Sequence, residues 1–297
     1  MHDILILGGG PAGLTAAIYA TRACRDTLVI AEQVGGAASI AHRIDNYSAL
    51  PKINGYDLTA KMYDQSVSLG AKHKSDKIVK ITASGSTKVV ETESGIFEGR
   101  SLILALGSRY RKIGLDGEDE LLGSGISYCA TCDGNFFKRR TVAVVGGGDT
   151  ALSDALFLSK IATKVILIHR RNEFRASASL VSALQNSGVE VVYDSIVEKL
   201  QGNPLSAIIV RNLKTGCVIN YQIDGLFVAI GSDPCVDLIK EEIALTDSKY
   251  IITDRHMRTN IPGVYAAGDI RDTPLRQIIT ACADGAIAAE TASSDLK

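Results

Sequence analysis

One plan occurs twice along the chain: an apolar strand, a glycine-rich turn, a helix-like segment and a second apolar strand. The turn of the first copy is Gly8-Gly9-Gly10-Pro11-Ala12-Gly13, and the turn of the second is Gly146-Gly147-Gly148-Asp149-Thr150-Ala151. Between a strand and a helix, such glycines permit a tight turn and let a pyrophosphate approach the helix N-terminus. A single match also occurs in ordinary turns, but two matches in register predict two dinucleotide-binding domains.

The second strands of the two copies end in opposite charges, and this difference predicts two ligands. When Gly8 is laid over Gly146, Glu32 falls opposite Arg170, where the adenosine ribose is read. A carboxylate accepts hydrogen bonds from free ribose hydroxyls, whereas guanidinium groups bind a 2′-phosphate. We therefore expect FAD at the first site and NADPH at the second. The residues expected to bind NADPH are Gly146, Gly148, Asp149 and Thr150 of the second turn together with His169, Arg170, Arg171 and Arg175. The alternative for the basic residues is a solvated charge run at a strand end.

Composition limits the class of protein. The 297 residues are 46% hydrophobic and 22% charged, which is typical of a globular chain long enough for two domains. A net charge of −1 argues against general nucleic-acid binding. No apolar run is long enough to span a membrane, and the first strand follows Met1 too closely for a signal peptide, so we expect a cytoplasmic protein.

A pair of cysteines lies between the two glycine turns, in Cys129-Ala130-Thr131-Cys132-Asp133-Gly134. Two nucleotide sites together with a dithiol suggest an electron relay. A zinc site would need two further ligands, and no second CxxC or nearby Cys/His pair supplies them, so we expect no metal. The other cysteines are expected to be small buried side chains; they are Cys24, Cys217, Cys235 and Cys282.

The order of the predicted strands indicates how the domains are arranged. Residues 79–100 predict an antiparallel hairpin, and the buried strands at 101–107 and 225–231 each end in a glycine, where the chain is expected to cross between domains. We predict an α/β protein with two Rossmann-like, three-layer domains, the second inserted into the first. The FAD domain would comprise residues 1–112 and 236–297, and the NADPH domain residues 113–235.

A third feature follows near the C-terminus. The short apolar run from Val264 ends at Gly268-Asp269, and a helix-like stretch begins at Pro274. An aspartate in this place can accept a hydrogen bond from a ribityl hydroxyl, and the N-terminus of the following helix can face a flavin.

These parts together closely resemble the low-molecular-weight thioredoxin reductases over essentially the whole chain. The stretches that carry the resemblance are the two glycine turns, Cys129 to Gly134, His169-Arg-Arg-Asn-Glu-Phe-Arg175, and the run from Gly268 through Arg276-Gln277 to Gly285. The resemblance assigns further residues to the FAD site, which are Gly35, Gly36, Asn46, Arg276, Gln277 and Ile278. The chain departs from the family at Ala37, which replaces a glutamine, and at Ser48-Ala49.

The resemblance implies a homodimer that uses NADPH and FAD to reduce the disulfide of thioredoxin, with a nucleotide domain that swivels about two linkers. It implies that Cys132 is the thiol nearer the flavin and that Cys129 attacks the substrate. Asp133 is expected to protonate the departing thiolate; the alternative for Asp133 is a helix N-cap.

Other functions stay open at this point. The closest is a flavoenzyme of the same fold that takes electrons from ferredoxin or NADH. A reductase of a peroxide-reducing system would need a further redox domain before Met1, and we expect none. A flavin-binding redox sensor without turnover belongs to a different class, and sustained catalysis would exclude it.

Overall fold

The chain divides into two compact units. The computed structural model describes residues 1–41 and 43–296. The first unit comprises Met1–Arg109 and Asp233–Lys297, and the second comprises Tyr110–Ser232. The chain passes between the units twice, in the short segments at residues 108–110 and 232–234. The predicted boundaries after residues 112 and 235, and the assignment of the two domains to FAD and NADPH, stay predictions.

Seventeen strands are present in the described residues. In chain order they are β1 (His2–Gly9), β2 (Thr27–Val34), β3 (Lys72–Ser75), β4 (Ile78–Thr82), β5 (Lys88–Thr92), β6 (Ile96–Leu104), β7 (Ser108–Tyr110), β8 (Ile126–Ser127), β9 (Thr141–Gly146), β10 (Lys164–Ile168), β11 (Glu190–Val192), β12 (Ser195–Gln201), β13 (Ala207–Asn212), β14 (Val218–Gln222), β15 (Gly225–Ala229), β16 (Ser232–Pro234) and β17 (Val264–Ala266).

Six α-helices are present in the same residues, together with three 3₁₀ turns at 36–38, 134–137 and 268–270. The helices are α1 (Pro11–Arg22), α2 (Gly55–Ser68), α3 (Ala130–Asp133), α4 (Asp149–Leu158), α5 (Ala178–Gln185) and α6 (Ile278–Asp295). In residues 1–41 and 43–296, none of them is long and apolar enough to cross a bilayer.

The first unit is built on a sheet in which β3, β2, β1, β6 and β17 run parallel. Successive residues of a strand point to opposite faces, and β1 shows this directly. Ile4 and Ile6 pack against the alanines of α1 and α6, whereas Leu5 and Leu7 belong to a second cluster on the other face. The antiparallel strands β4 and β5 extend the sheet from the first half of β6.

The second unit repeats this arrangement. Strands β11, β10, β9, β15 and β8 form a parallel sheet, and β12, β13 and β14 form an antiparallel meander. The side chains of α4 pack on one cluster of sheet residues, and those of the meander pack on the other. The predicted α/β class with two parallel sheets is therefore confirmed.

Three element boundaries differ from those predicted. The hairpin and the buried strand at 101–107 are not separate, because β6 runs without a break from Ile96 to Leu104. Helix α6 begins at Ile278 rather than at Pro274, since Gln277 has an extended backbone and forms a capping box with Thr280. Strand β2 continues past Glu32 to Val34.

The prediction that all four other cysteines are buried was wrong. Cys282 is buried, but Cys24 and Cys217 are exposed and Cys235 is intermediate. Cys24 lies in the turn after α1 with a positive φ of 58°, and Cys217 lies in the loop between β13 and β14. Turns and hairpin loops run over the surface, so a small apolar side chain in them is not carried into the core.

Candidate active site

The first glycine turn closes β1 and opens α1. A Cβ atom on Gly8 would lie 2.2 Å from the carbonyl oxygen of Ala105, and one on Gly13 would lie 1.9 Å from the carbonyl oxygen of Gly8. Only glycine fits at either position, because backbone atoms cannot yield as a flexible side chain can. Pro11 is the first residue of α1 and Ala12 is buried beneath the turn. The turn is therefore packed tightly against Ala105, which follows β6, and against the first residues of α1.

Gly10 differs from its neighbours because it faces open space. A Cβ atom there would meet only the carbonyl oxygen of Gly35, at 4.0 Å. The first amides of a helix have no acceptor within the helix, so those that follow Gly10 are available to an anion. Gly36 lies close by, and a Cβ on it would come within 3.2 Å of the Cα of Gly10. This is the arrangement that a bound pyrophosphate requires.

Glu32 lies beside this turn. Leu7 of β1 is paired with Ile30 of β2, and Gly9 with Val34, so Glu32 falls in the bulge between the two pairs. Its side chain is exposed. The placement suits a ribose acceptor at the edge of the turn.

Asp269 and Arg276 are charged residues near the N-terminus of α6, and Arg276 has a buried polar atom without a partner. The carboxylate of Asp269 makes no hydrogen bond within the part of the chain that the structure describes, and burial raises its pKa, although Arg276 opposes the shift. The Nε atom of Arg276 is buried without a hydrogen-bond partner, and its guanidinium lies 4.0 Å from the centroid of the Tyr250 ring. Buried polar groups are normally paired, so the Nε atom of Arg276 fits a contact to a bound ligand. Asp269 is half-buried, and its carboxylate can accept a hydrogen bond from such a ligand.

Three further predicted residues meet at the N-terminus of α6. The amide of Asn46 donates to Oε1 of Gln277 at 2.8 Å, across 231 residues of sequence. Gln277 is the N-cap of α6, and Ile278 begins the helix and packs beside the cluster that contains Leu14. Asn46 and Gln277 therefore form one hydrogen-bonded pair at the N-terminus of α6.

Asp284 supports the Asp269 turn and was not predicted as a site residue. It is 8% exposed, accepts from the backbone N–H of Gly268 at 3.1 Å, and pairs with Arg271 at 3.1 Å. Asp284 occurs in a stretch that carries the family resemblance, but nothing in the sequence shows that it holds the backbone before Asp269.

The second glycine turn joins β9 to α4. A Cβ atom on Gly146 would lie 2.3 Å from the carbonyl oxygen of Ala229, whereas one on Gly148 would meet no atom within 4 Å. Asp149 and Thr150 begin α4 and are exposed. As in the first unit, the first glycine of the turn has no room for a side chain, and the third glycine faces open space.

Three predicted arginines lie in the loop after β10, which ends at the same sheet edge as β9. Arg170, Arg171 and Arg175 are exposed, and none forms an ion pair with any residue the structure describes. The backbone N–H of Arg175 donates to the carbonyl oxygen of Gly147 at 2.8 Å. Uncompensated guanidinium groups beside a glycine turn fit a phosphate group.

His169 is placed differently from the arginines. It is 7% exposed, and its Nε2 atom lies 2.9 Å from the carbonyl oxygen of Glu173. Its ring lies directly over Gly147, where a Cβ atom would come within 2.0 Å of the ring. The ring supports the turn from within the unit, and contact of His169 with a nucleotide stays a prediction.

The cysteine pair forms a disulfide directly after β8. The sulfur atoms of Cys129 and Cys132 are 2.11 Å apart, and both side chains are half-buried. Cys129 caps the short helix α3, because its Sγ accepts from the N–H of Cys132 at 3.2 Å; it also lies 3.4 Å from the hydroxyl of Thr131. Parallel strands end at one edge of a sheet, so this disulfide lies at the same edge as the second glycine turn.

Ser127 links the disulfide turn to Asp133. Its hydroxyl donates to Oδ2 of Asp133 at 2.6 Å and accepts from the N–H of Cys129 at 3.0 Å. Asp133 occupies the N-cap position of the 3₁₀ turn at 134–137, but its side chain makes no capping bond there, and Cys129 caps α3. The role of Asp133 as an acid stays a prediction. Ser127 was missed from the sequence, where a hydroxyl two residues before a cysteine gives no distinctive signal.

A hydrogen bond between Tyr128 and Glu118 holds the residue that precedes Cys129. The Tyr128 hydroxyl donates to Glu118 at 2.6 Å, and burial with this bond raises the Tyr128 pKa above its ordinary range. Glu118 is 3% exposed and also accepts from the backbone N–H groups of Ile113 and Gly114. No sequence pattern marked Glu118, although its two backbone donors lie only four and five residues before it.

The fold and these sites define a class of protein: two dinucleotide-binding units of α/β type, with a disulfide at the carboxyl edge of one sheet. The model of the pyridine nucleotide-disulphide oxidoreductase family matches residues 2–285. The thioredoxin reductase of Peptoclostridium acidaminophilum is 43% identical over 302 residues, covering 98% of this chain and 96% of the relative.

Two solved structures are similar over nearly their whole length. Thioredoxin reductase from Streptococcus pyogenes MGAS5005 has a TM-score of 0.93 and 39% identity, with 100% of this chain and 98% of that chain covered. Thioredoxin reductase from Giardia duodenalis has a TM-score of 0.94 and 34% identity, with 99% and 98% covered. The chain belongs to the pyridine nucleotide-disulphide oxidoreductase family and, within it, to the low-molecular-weight thioredoxin reductases. This family uses a flavin and a pyridine nucleotide.

Proposed function

We propose that this chain is an NADPH-dependent thioredoxin-disulfide reductase that contains FAD. The observation that carries the proposal is the Cys129–Cys132 disulfide at the sheet edge that also bears the second glycine turn. The unpaired arginines of the same edge support NADPH rather than NADH. The open space at Gly10, the half-buried carboxylate of Asp269 and the unpartnered Nε atom of Arg276 support FAD in the first unit.

The residues of the first unit would hold FAD by its pyrophosphate and its sugar chain. The amides that follow Gly10 would bind the pyrophosphate, Glu32 the adenosine ribose, and Asp269 a ribityl hydroxyl. Bound FAD supplies a carrier that accepts a hydride from the nicotinamide and delivers an electron pair.

The cysteine pair would accept that electron pair and pass it to the substrate. Two electrons and one proton convert the disulfide into one thiol and one thiolate. The Cys129 thiolate would be stabilised by the N–H of Cys132 and the hydroxyl of Thr131, which already lie on its sulfur. It would attack the disulfide of thioredoxin, and Cys132 would then resolve the mixed disulfide. Asp133 would protonate the departing thiolate.

Steady-state turnover tests this proposal. We expect NADPH to reduce the bound flavin rapidly, and thioredoxin to support continuous reduction of DTNB. NADH should serve less well, by roughly 10²-fold in kcat/KM, because it cannot pair with the arginines. Reduction only by ferredoxin, an equal rate with NADH, or a single reduction without turnover would each contradict the proposal.

The family resemblance also supports a homodimer and a cytoplasmic location. We expect a molar mass of about twice 31.5 kDa by light scattering. A monomer at micromolar concentration would contradict this part of the proposal.

Ser127→Ala tests the role given to Asp133. Loss of the hydroxyl removes the 2.6 Å hydrogen bond that orients the carboxylate, so we expect thioredoxin reduction to fall roughly tenfold while flavin reduction by NADPH is unchanged. Stopped-flow measurement separates the two steps. Ser124→Ala is the control, because in the described residues Ser124 bonds through its backbone to Leu121 and Leu205 and its hydroxyl makes no hydrogen bond to Asp133 or Cys129. An equal loss in both steps would show a general structural defect instead.

A further inference from the structure

The loop after β10 is tied to the second glycine turn at three places. The N–H of Arg175 donates to the carbonyl oxygen of Gly147 at 2.8 Å, and the N–H of Ser177 donates to Oδ1 of Asp149 at 2.7 Å. The ring of His169 lies over the Cα of Gly147. These contacts fix the position of the loop relative to the turn, although Asp149 and Ser177 are 28 positions apart in the sequence.

This connection matters because the arginine side chains have few contacts of their own. Arg170, Arg171 and Arg175 are exposed and make no ion pair within the described part of the chain. Three like charges in one loop repel one another, so nothing in their side-chain contacts keeps them together. Their position relative to the glycine turn depends on the backbone of the loop, which the bonds of Gly147 and Asp149 hold.

Asp149 itself is poorly suited to touch the nucleotide phosphates. Its carboxylate carries the same sign of charge as a phosphate, and Oδ1 is already engaged by the N–H of Ser177. Ser177 precedes α5 and follows Arg175 by two residues, so the bond fixes the end of the arginine loop.

We propose that Asp149 is a positioning residue that selects the 2′-phosphorylated dinucleotide, acting through the Ser177 amide on the arginine loop. The inference rests on the proposed use of NADPH. It assigns to Asp149 no contact with the ligand. Its consequence is selective: the bond contributes to binding of the 2′-phosphate and not to binding of the shared pyrophosphate.

Calorimetry tests the proposal by measuring the affinities of the full-length, FAD-loaded protein for NADP⁺ and for NAD⁺. For Asp149→Ala we expect NADP⁺ affinity to fall roughly fivefold, as for one lost hydrogen bond, with NAD⁺ affinity changed less than about twofold. The loss would occur although a negative charge near the phosphates has been removed. Asp149→Asn keeps the acceptor oxygen and should restore NADP⁺ affinity.

A second variant removes the donor instead of the acceptor. Ser177 has a φ of −60°, which proline adopts, so Ser177→Pro deletes the N–H with no change of charge. We expect the same selective loss as in Asp149→Ala, and no additional loss in the double variant. Ser177→Ala keeps the N–H and removes only the hydroxyl, so it separates the effect of the hydroxyl from that of the amide.

The outcomes distinguish this inference from the proposed function. Equal loss of NADP⁺ and NAD⁺ binding, failure of Asp149→Asn to restore affinity, or additive effects of the two substitutions would overturn the role of Asp149. A wild-type protein that binds NAD⁺ as tightly as NADP⁺ would instead overturn the use of NADPH.

Discussion

We expect replacement of Cys129 by serine to lower thioredoxin reduction on the order of 10³-fold or more, while the proposed donor NADPH still reduces the flavin at the wild-type rate. The reason is that the variant lacks the nucleophile that attacks the substrate disulfide, and serine at neutral pH does not replace a thiolate. DTNB reduction with thioredoxin measures the first effect, and stopped-flow bleaching of the flavin measures the second.

Matched controls for this prediction are the exposed cysteines. Cys24→Ser and Cys217→Ser change surface thiols that take no part in the disulfide, so both variants should keep full activity. Sustained turnover by Cys129→Ser would show that another thiol carries electrons to the substrate.

We expect replacement of Gly13 by alanine to prevent the proposed FAD binding and to destabilise the first unit. The added Cβ would lie 1.9 Å from the carbonyl oxygen of Gly8, so the turn and α1 must separate. We expect a colourless protein whose free energy of unfolding is lower by about 3 kcal/mol, in the range of overpacked cores. Denaturant titration and the visible spectrum measure the two effects.

Two other glycines show whether space is the cause. A Cβ on Gly10 meets only one atom, at 4.0 Å, so Gly10→Ala should fold normally and lose FAD affinity because the methyl group fills the ligand's place. A Cβ on Gly95 would meet no atom within 4 Å, so Gly95→Ala should bind FAD as the wild type does. A yellow, stable Gly13→Ala protein would contradict the proposed packing.

The repeated glycine turns were sufficient to predict the α/β class and its two parallel sheets. A tight turn between an apolar strand and a helix is a local structure, and its glycines depend on neighbours within a few residues. The cysteine pair was equally local, because its two members are three positions apart in the sequence. For the same reason the sequence identified the residue types around the nucleotides but left the roles of individual residues as predictions.

Several interpretations required the tertiary structure. His169 reads as one of a basic run, yet its ring is buried over Gly147, because β10 carries it beneath the turn. Helix α6 starts later than the pattern indicated, since the bonds between Gln277 and Thr280 hold the chain extended. Burial and capping depend on which segments meet, and the local pattern does not contain that information.

The sequence by itself determined the two α/β units with parallel sheets, the cysteine pair and the difference in charge between Glu32 and Arg170. Only the tertiary structure decided which hydrogen bonds hold those features in place. These bonds join Ser127 to Asp133, Tyr128 to Glu118, the Gly268 N–H to Asp284, and the Ser177 N–H to Asp149. The physical reason is that several of these are hydrogen bonds between segments distant in sequence. Such a bond depends on the path of the chain between its two residues, whereas a turn or a strand depends on residues that adjoin it.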